Sequence, residues 1–207
     1  MDTVTKRPVI IYAESTPNPA SMKFVANQLL LSEGATAQYL SKAETKGAPL
    51  AAKLFEFPFV KSVFFASNFV TVLKTDQVQW EDITLELRDF IRTYINEGNP
   101  IITELPAAEV AVDNTFSTKK QVFTEHAAPT TEIEVKIVEI LEQYIRPAVE
   151  GDGGSITFKG FENGVVTVQL RGSCSGCPSS TITLKAGIEG LLKRMIPEVK
   201  EVVSEAL

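Results

Sequence analysis

The chain of 207 residues holds only two cysteines and one histidine, and this scarcity removes most metal and nucleophile chemistry. A disulfide framework is excluded, because such scaffolds need several cysteine pairs in a short chain. The single imidazole, His126, leaves almost no room for imidazole chemistry; its neighbours, poor in large apolar side chains, make it read as a solvated linker residue, with an auxiliary metal ligand as the other reading. Long apolar runs are absent: none approaches the ~18–20 residues that span a bilayer, so no membrane partner is expected. The opening MDTVTKRPVIIYAESTPN lacks a signal-peptide core, and its acids Asp2 and Glu14 are foreign to a transit peptide. A reducing, cytoplasmic setting is the expectation, one in which paired cysteines serve metals or catalysis rather than architecture. An excess of positive charge is also lacking. The net charge is −6 and the pI is about 5.0, the opposite of what non-specific nucleic-acid binding requires.

What is present suits a globular protein, with 44% apolar and 22% charged residues. Two segments look foldable, residues 1–104 and 131–207. Between them, 105–130 reads as a flexible linker poor in large apolar residues. In the first segment, strands are expected near 9–12, 22–26, 60–65 and 69–74, with weaker alternation over 35–40. The turn-rich STPNPAS separates the first two, and Ala66-Ser67-Asn68 makes a hairpin. A short helix follows Pro49, and a longer one starts at Asp82 as N-cap, presents Ile83, Leu87, Phe90, Ile91, Tyr94 and Ile95, and stops at Gly98 and Pro100. Six phenylalanines between Phe55 and Phe69 suit core packing, with an aromatic partner surface as the other reading. No paired catalytic acids, phosphate loop or activated nucleophile is visible here.

The second segment reads α–β–β–α–β. Thr131 and Glu134 form a capping box, and the helix behind it shows Ile133, Ile137, Ile140, Leu141, Tyr144 and Ile145 until Pro147 stops it. Glycines in EGDGG (150–154) call for unusual backbone angles. Strands at 155–159 and 165–170 join through Asn163-Gly164. A last helix carries Ile182, Leu184, Ile188, Leu191, Leu192 and Met195, and 199–203 adds a strand.

Both cysteines fall in this segment, Cys174 and Cys177 in GSCSGCPSS. The order places Cys174 after a strand and Cys177 at the start of a helix, where unpaired amides and the helix dipole favour thiolate. Two thiolates make half a site, because zinc and iron–sulfur centres take four ligands. Three readings stay open on the residues alone: a metal or cluster shared between two chains, a thiol–disulfide oxidoreductase, and two thiols without function. Only 30 residues follow Cys177, too few to complete a thioredoxin-like sheet. Asp152 reads as a turn or cap residue, with electrostatic tuning of the centre as the alternative.

The run RPAVEGDGGSITFKGFENGVVTVQLRGSCSGCPSSTITLKAGIEGLLKRMIPEVKEV resembles the C-terminal domain of NifU, the module that defines the Nfu family, over about residues 131–205. IYAESTPNPASMKFVAN and FPFVKSVFFASNFVTV are similar to the Nfu N-terminal domain, over about 9–98. The resemblance implies an α+β fold of two small domains and a non-enzymatic scaffold or carrier of iron–sulfur clusters. It implies Cys174 and Cys177 as metal and cofactor ligands of a [4Fe–4S] cluster, with [2Fe–2S] as the other form. The cluster would be bridged across a homodimer and passed to apo client proteins after upstream assembly proteins supply it. A thiol–disulfide oxidoreductase and a zinc-linked structural dimer are the alternatives. The N-terminal domain carries no ligand in this scheme and would serve partner contacts. Without a recognisable targeting segment, a bacterial cytosolic member is expected rather than a mitochondrial one.

Overall fold

The computed structural model describes residues 8–32, 34–104, 126–175 and 178–205, with the main chain alone at 178–180. Two sheets form, each with its own apolar core, giving two domains. In the first, β1 (Ile11–Ser15), β2 (Ser21–Ala26), β3 (Thr36–Tyr39), β4 (Val60–Ala66) and β5 (Phe69–Lys74) pair antiparallel in the order β1-β2-β5-β4-β3. Two helices, α1 (Pro49–Leu54) and α2 (Trp80–Asn96), complete it. The helix-side face of the sheet is apolar by simple alternation. Phe24, Tyr39, Val63, Phe65, Val70 and Val72 share a buried cluster with Leu50, Leu87 and Ile91.

The long helix starts earlier than Asp82. Its N-cap is Gln79, because Trp80 is fixed at the first position: its indole N–H donates to Pro19 O at 2.9 Å and Lys74 Nζ lies 5.7 Å from its ring. Glu81 and Asp82 then sit in the first turn, where acids complement the helix dipole.

The second domain follows the expected order: α3 (Glu132–Ile140), β6 (Gly154–Glu162), β7 (Val165–Gly172), α5 (Pro178–Met195) and β8 (Glu201–Glu205). β6 and β7 pair antiparallel across Asn163 and Gly164, whose φ values of 53° and 90° suit a two-residue turn. β8 returns through α5 to lie parallel to β7. Thr131 and Glu134 make the reciprocal capping box at the start of α3.

Pro147 does not stop that helix. The chain widens into a π-helical turn at Leu141–Ile145 and restarts as α4 (Arg146–Gly151), with Pro147 in its first turn, where a missing N–H is harmless. Tyr144, Ile182 and Met195, expected on buried faces, are largely exposed, and the apolar stripes narrow to residues such as Ile137, Leu141, Ile188 and Leu192.

His126 is not a solvated linker residue. Its side chain is only 3% exposed; Nδ1 accepts the Phe158 amide N–H at 2.8 Å, and Nε2 meets the Glu142 carboxylate. With Nδ1 accepting, the neutral ring carries its proton on Nε2 and donates to Glu142, which Arg146 also grips through Nε at 2.8 Å. The misreading has a plain cause: the partners lie 16 to 32 residues away, beyond any local pattern.

Candidate functional site

Cys174 lies in the loop after β7 and is 5% exposed. Cys177, its expected companion, lies outside the described residues. Two glycine-containing loops build the surroundings of Cys174. Strand pairing sets Gly154 opposite Gly172, the Ser173 N–H donates to Gly153 O at 3.2 Å, and the Ser175 N–H donates to Gly172 O at 3.2 Å. Gly172 has φ 70°, and a Cβ there would meet Gly153 O at 2.6 Å and Phe64 at 2.8 Å, so only glycine fits. At Gly154 a Cβ would stand 2.8 Å from the cysteine sulfur. Gly154 therefore packs directly against the sulfur, a contact that leaves no room for a side chain at that position.

The loop is tied down by its own polar atoms. The Ser173 hydroxyl donates to Asp152 O, and Thr181 of α5 donates to Cys174 O at 3.0 Å. Ser173 Oγ also lies 3.7 Å from Cys174 Sγ. Burial pushes the Cys174 thiol up from its ordinary pKa. The Ser173 hydrogen bond works against this rise, and the Asp152 charge adds to it. Burial thus opposes the charged form at Cys174, while Cys177, the helix-start position at which thiolate is expected, lies outside the described residues. Asp152 ends α4 and accepts from Ser173, a cap and turn role, while its charge also reaches the thiol.

The site has a second wall that the sequence reading missed, and it comes from the first domain. The STPNPAS turn folds on Asn18: its main-chain oxygen accepts from the Ser21 amide and the Thr16 hydroxyl, and its Oδ1 accepts the Ala20 N–H. The remaining amide hydrogens of Asn18, 3% exposed, point at the other domain and donate to Ser173 O at 3.0 Å. Cavities of about 640 Å³ and 470 Å³ flank Cys174, the larger edged by Pro17 and Asn18, the smaller by Gln38, Ser62 and Leu73. A signal for this wall was available. The run VFFA in β4 is apolar on both faces, the mark of a sheet buried on both sides. Phe65 joins the helix-side core, while Phe64 and Phe69 form a separate cluster on the opposite face, so the phenylalanine run divides between core and contact surface.

Among the described residues no group of three or more His, Cys, Asp or Glu could hold a metal, and no helix is long and apolar enough to cross a membrane.

Comparisons with known proteins agree on one family. Residues 11–98 match the family described as "Scaffold protein Nfu/NifU N terminal", and residues 137–203 match "NifU-like domain". A Drosophila ananassae protein named "NFU1 iron-sulfur cluster scaffold homolog, mitochondrial" is 38% identical over 95% of this chain and 64% of its own length. An Arabidopsis thaliana protein named "NifU-like protein 4, mitochondrial" is 37% identical over 97% of this chain and 67% of its own. The chain thus spans about two thirds of the length of these relatives. The solution structure of a NifU-like protein from Saccharomyces cerevisiae aligns with 50% of this chain and 92% of its own, at 23% identity and a TM-score of 0.41.

Proposed function

The chain belongs to the Nfu family of iron–sulfur cluster scaffold proteins, and from that premise we propose that it carries a cluster as cargo, bridged between two subunits and delivered to apo-proteins. The observation that carries this reading is Cys174 itself: a thiol in a glycine-lined loop with no further ligand cluster among the described residues. Cys174 and Cys177 are the proposed ligands, two from each chain, holding a [4Fe–4S] cluster or its [2Fe–2S] counterpart.

The proposed chemistry is exchange rather than turnover, so no catalytic residue is assigned. Each chain contributes two thiolates, and a client with more ligands or a deeper site takes the cluster by stepwise thiolate exchange. Within this scheme the Cys174 proton leaves on metal binding, and the raised thiol pKa makes loading easier as pH rises. Asn18 and Thr181 hold the main chain beside the sulfur, and Gly154 packs against it. Clients and upstream assembly proteins are the proposed partners, in a reducing compartment such as the cytosol.

Replacing Cys174 or Cys177 by serine should each abolish stable iron and sulfide binding after anaerobic reconstitution, read by metal and sulfide analysis. Single variants that retain a full complement overturn the ligand assignment. Reduction of a disulfide substrate with turnover and without iron would select an oxidoreductase instead.

A further inference from the structure

One face of the five-stranded sheet is covered by α1 and α2; the other carries polar residues that are nonetheless buried, among them Lys23 and Thr71. The strand register explains their arrangement. Gln38 pairs with Phe64, Phe64 with Thr71, and Thr71 with Lys23, so the four form one row across β3, β4, β5 and β2. This row lies on the glycine loops of the other domain. Gln38 Oε1 accepts the Gly172 N–H at 3.0 Å, and Thr71 Oγ1 donates to Gly153 O at 2.7 Å. Lys23 Nζ donates to Gly151 O at 3.3 Å, and Asn18, from the preceding turn, reaches Ser173 O. Phe64 fills the remaining place, against the hydrogen face of Gly172.

We infer that this sheet face is a docking surface for the cysteine loop of its own chain, and that docking and a cluster bridged between two chains exclude one another. Four hydrogen bonds end on main-chain atoms of the loops and a fifth, from Gln38 Nε2, reaches the Ser175 hydroxyl at 3.5 Å, so the surface reads chiefly loop shape, and it needs glycine. A Cβ at Gly153 would meet Thr71 Oγ1 at 2.9 Å, and one at Gly172 would strike Phe64. First-domain side chains edge both cavities beside Cys174 and narrow the approach to a thiol that the core of its own domain also buries. A second copy's cysteine loop cannot approach that sulfur until the sheet leaves. The contact is polar at its edges and tethered within one chain, where an effective concentration near millimolar keeps even a weak interface formed. Opening therefore releases two things together, the thiol and an aromatic-bearing sheet face. The docking stands on the geometry alone; the exclusion rests on the proposed cluster function.

The test uses the full-length apo-protein. Iodoacetamide labelling of Cys174, resolved by peptide mass spectrometry, should accelerate by about twenty-five-fold in an Asn18→Ala, Thr71→Val double variant, because each lost bond is worth roughly a factor of five. Thr71→Ser, which keeps the hydroxyl, should retain the wild-type rate. Hydrogen exchange at the Gly172 amide should quicken in Gln38→Ala, a readout that does not depend on the double variant's folding. Small-angle scattering of the wild-type chain loaded with iron and sulfide should show a particle more extended than a dimer of two docked chains. An unchanged labelling rate in a folded double variant, or unchanged Gly172 exchange, overturns the docking. A loaded dimer as compact as two docked chains overturns the exclusion. A wild-type chain that shows the protected thiol yet takes up no iron leaves the docking intact and sinks the cluster reading instead.

Discussion

The two faces of the first sheet are made by the same strands yet differ in kind. The helix-side face is an apolar core in which Phe24, Phe65, Val70 and Leu87 are fully buried within one cluster. The opposite face mixes Phe64 and Phe69 with Lys23, Gln38 and Thr71, and its polar atoms end chiefly on the main chain of the second domain. Dispersion and water exclusion hold the first face permanently. The second face is held by a handful of hydrogen bonds, each worth only about 1 kcal/mol net. One surface builds the domain, and the other can let go of it.

Breaking the first face should have the largest effect. Leu87→Ala, at a fully buried position of α2, should cost about 2–5 kcal/mol of stability, measured by denaturant unfolding through Trp80 fluorescence. The fold of the second domain should survive it. Collapse of both domains in one transition would mean that the contact face contributes as much as the core, against the contrast drawn above.

His126→Ala sharpens the comparison from the other side. It leaves the Phe158 amide N–H without its acceptor and removes one of the groups holding Glu142, at a cost of about 1–3 kcal/mol. The loss should appear in the second domain alone, as faster hydrogen exchange along β6. Unchanged exchange at Phe158 would show that the imidazole is not what protects it.

The smallest effect belongs to the α3 cap. Thr131→Ala should cost about 1 kcal/mol. Hydrogen bonds from Thr130 and Thr131 hold the Glu134 carboxyl below its ordinary pKa, with desolvation opposing them. A depressed folded-state pKa gives stability that is present above the unfolded value and is lost as pH falls through the folded one. Acid titration of thermal stability should therefore be shallower in Glu134→Gln than in wild type, and equal slopes would contradict the capping account.

These residues also mark what the sequence makes legible. Local patterns carried far: the capping box, the Asn163-Gly164 turn and the α–β–β–α–β order all depend on near neighbours. Errors arose where a distant group decides. Trp80 starts its helix early because Pro19, 61 residues away, accepts its N–H. His126 is held by partners on the π-helical turn, α4 and β6, and Pro147 fits a helix that restarts after a wide turn. The cysteine loop was visible from its composition, but its second wall was not. Asn18 and Ser173 lie 155 residues apart, and nothing in STPNPAS by itself points across that gap.

The most direct measurement of the central claim is the native mass and Mössbauer spectrum of the anaerobically reconstituted full-length chain. The account predicts one iron–sulfur cluster per two chains, with the pair reverting to monomer when the cluster is removed. A monomer holding one zinc ion and no iron would contradict it.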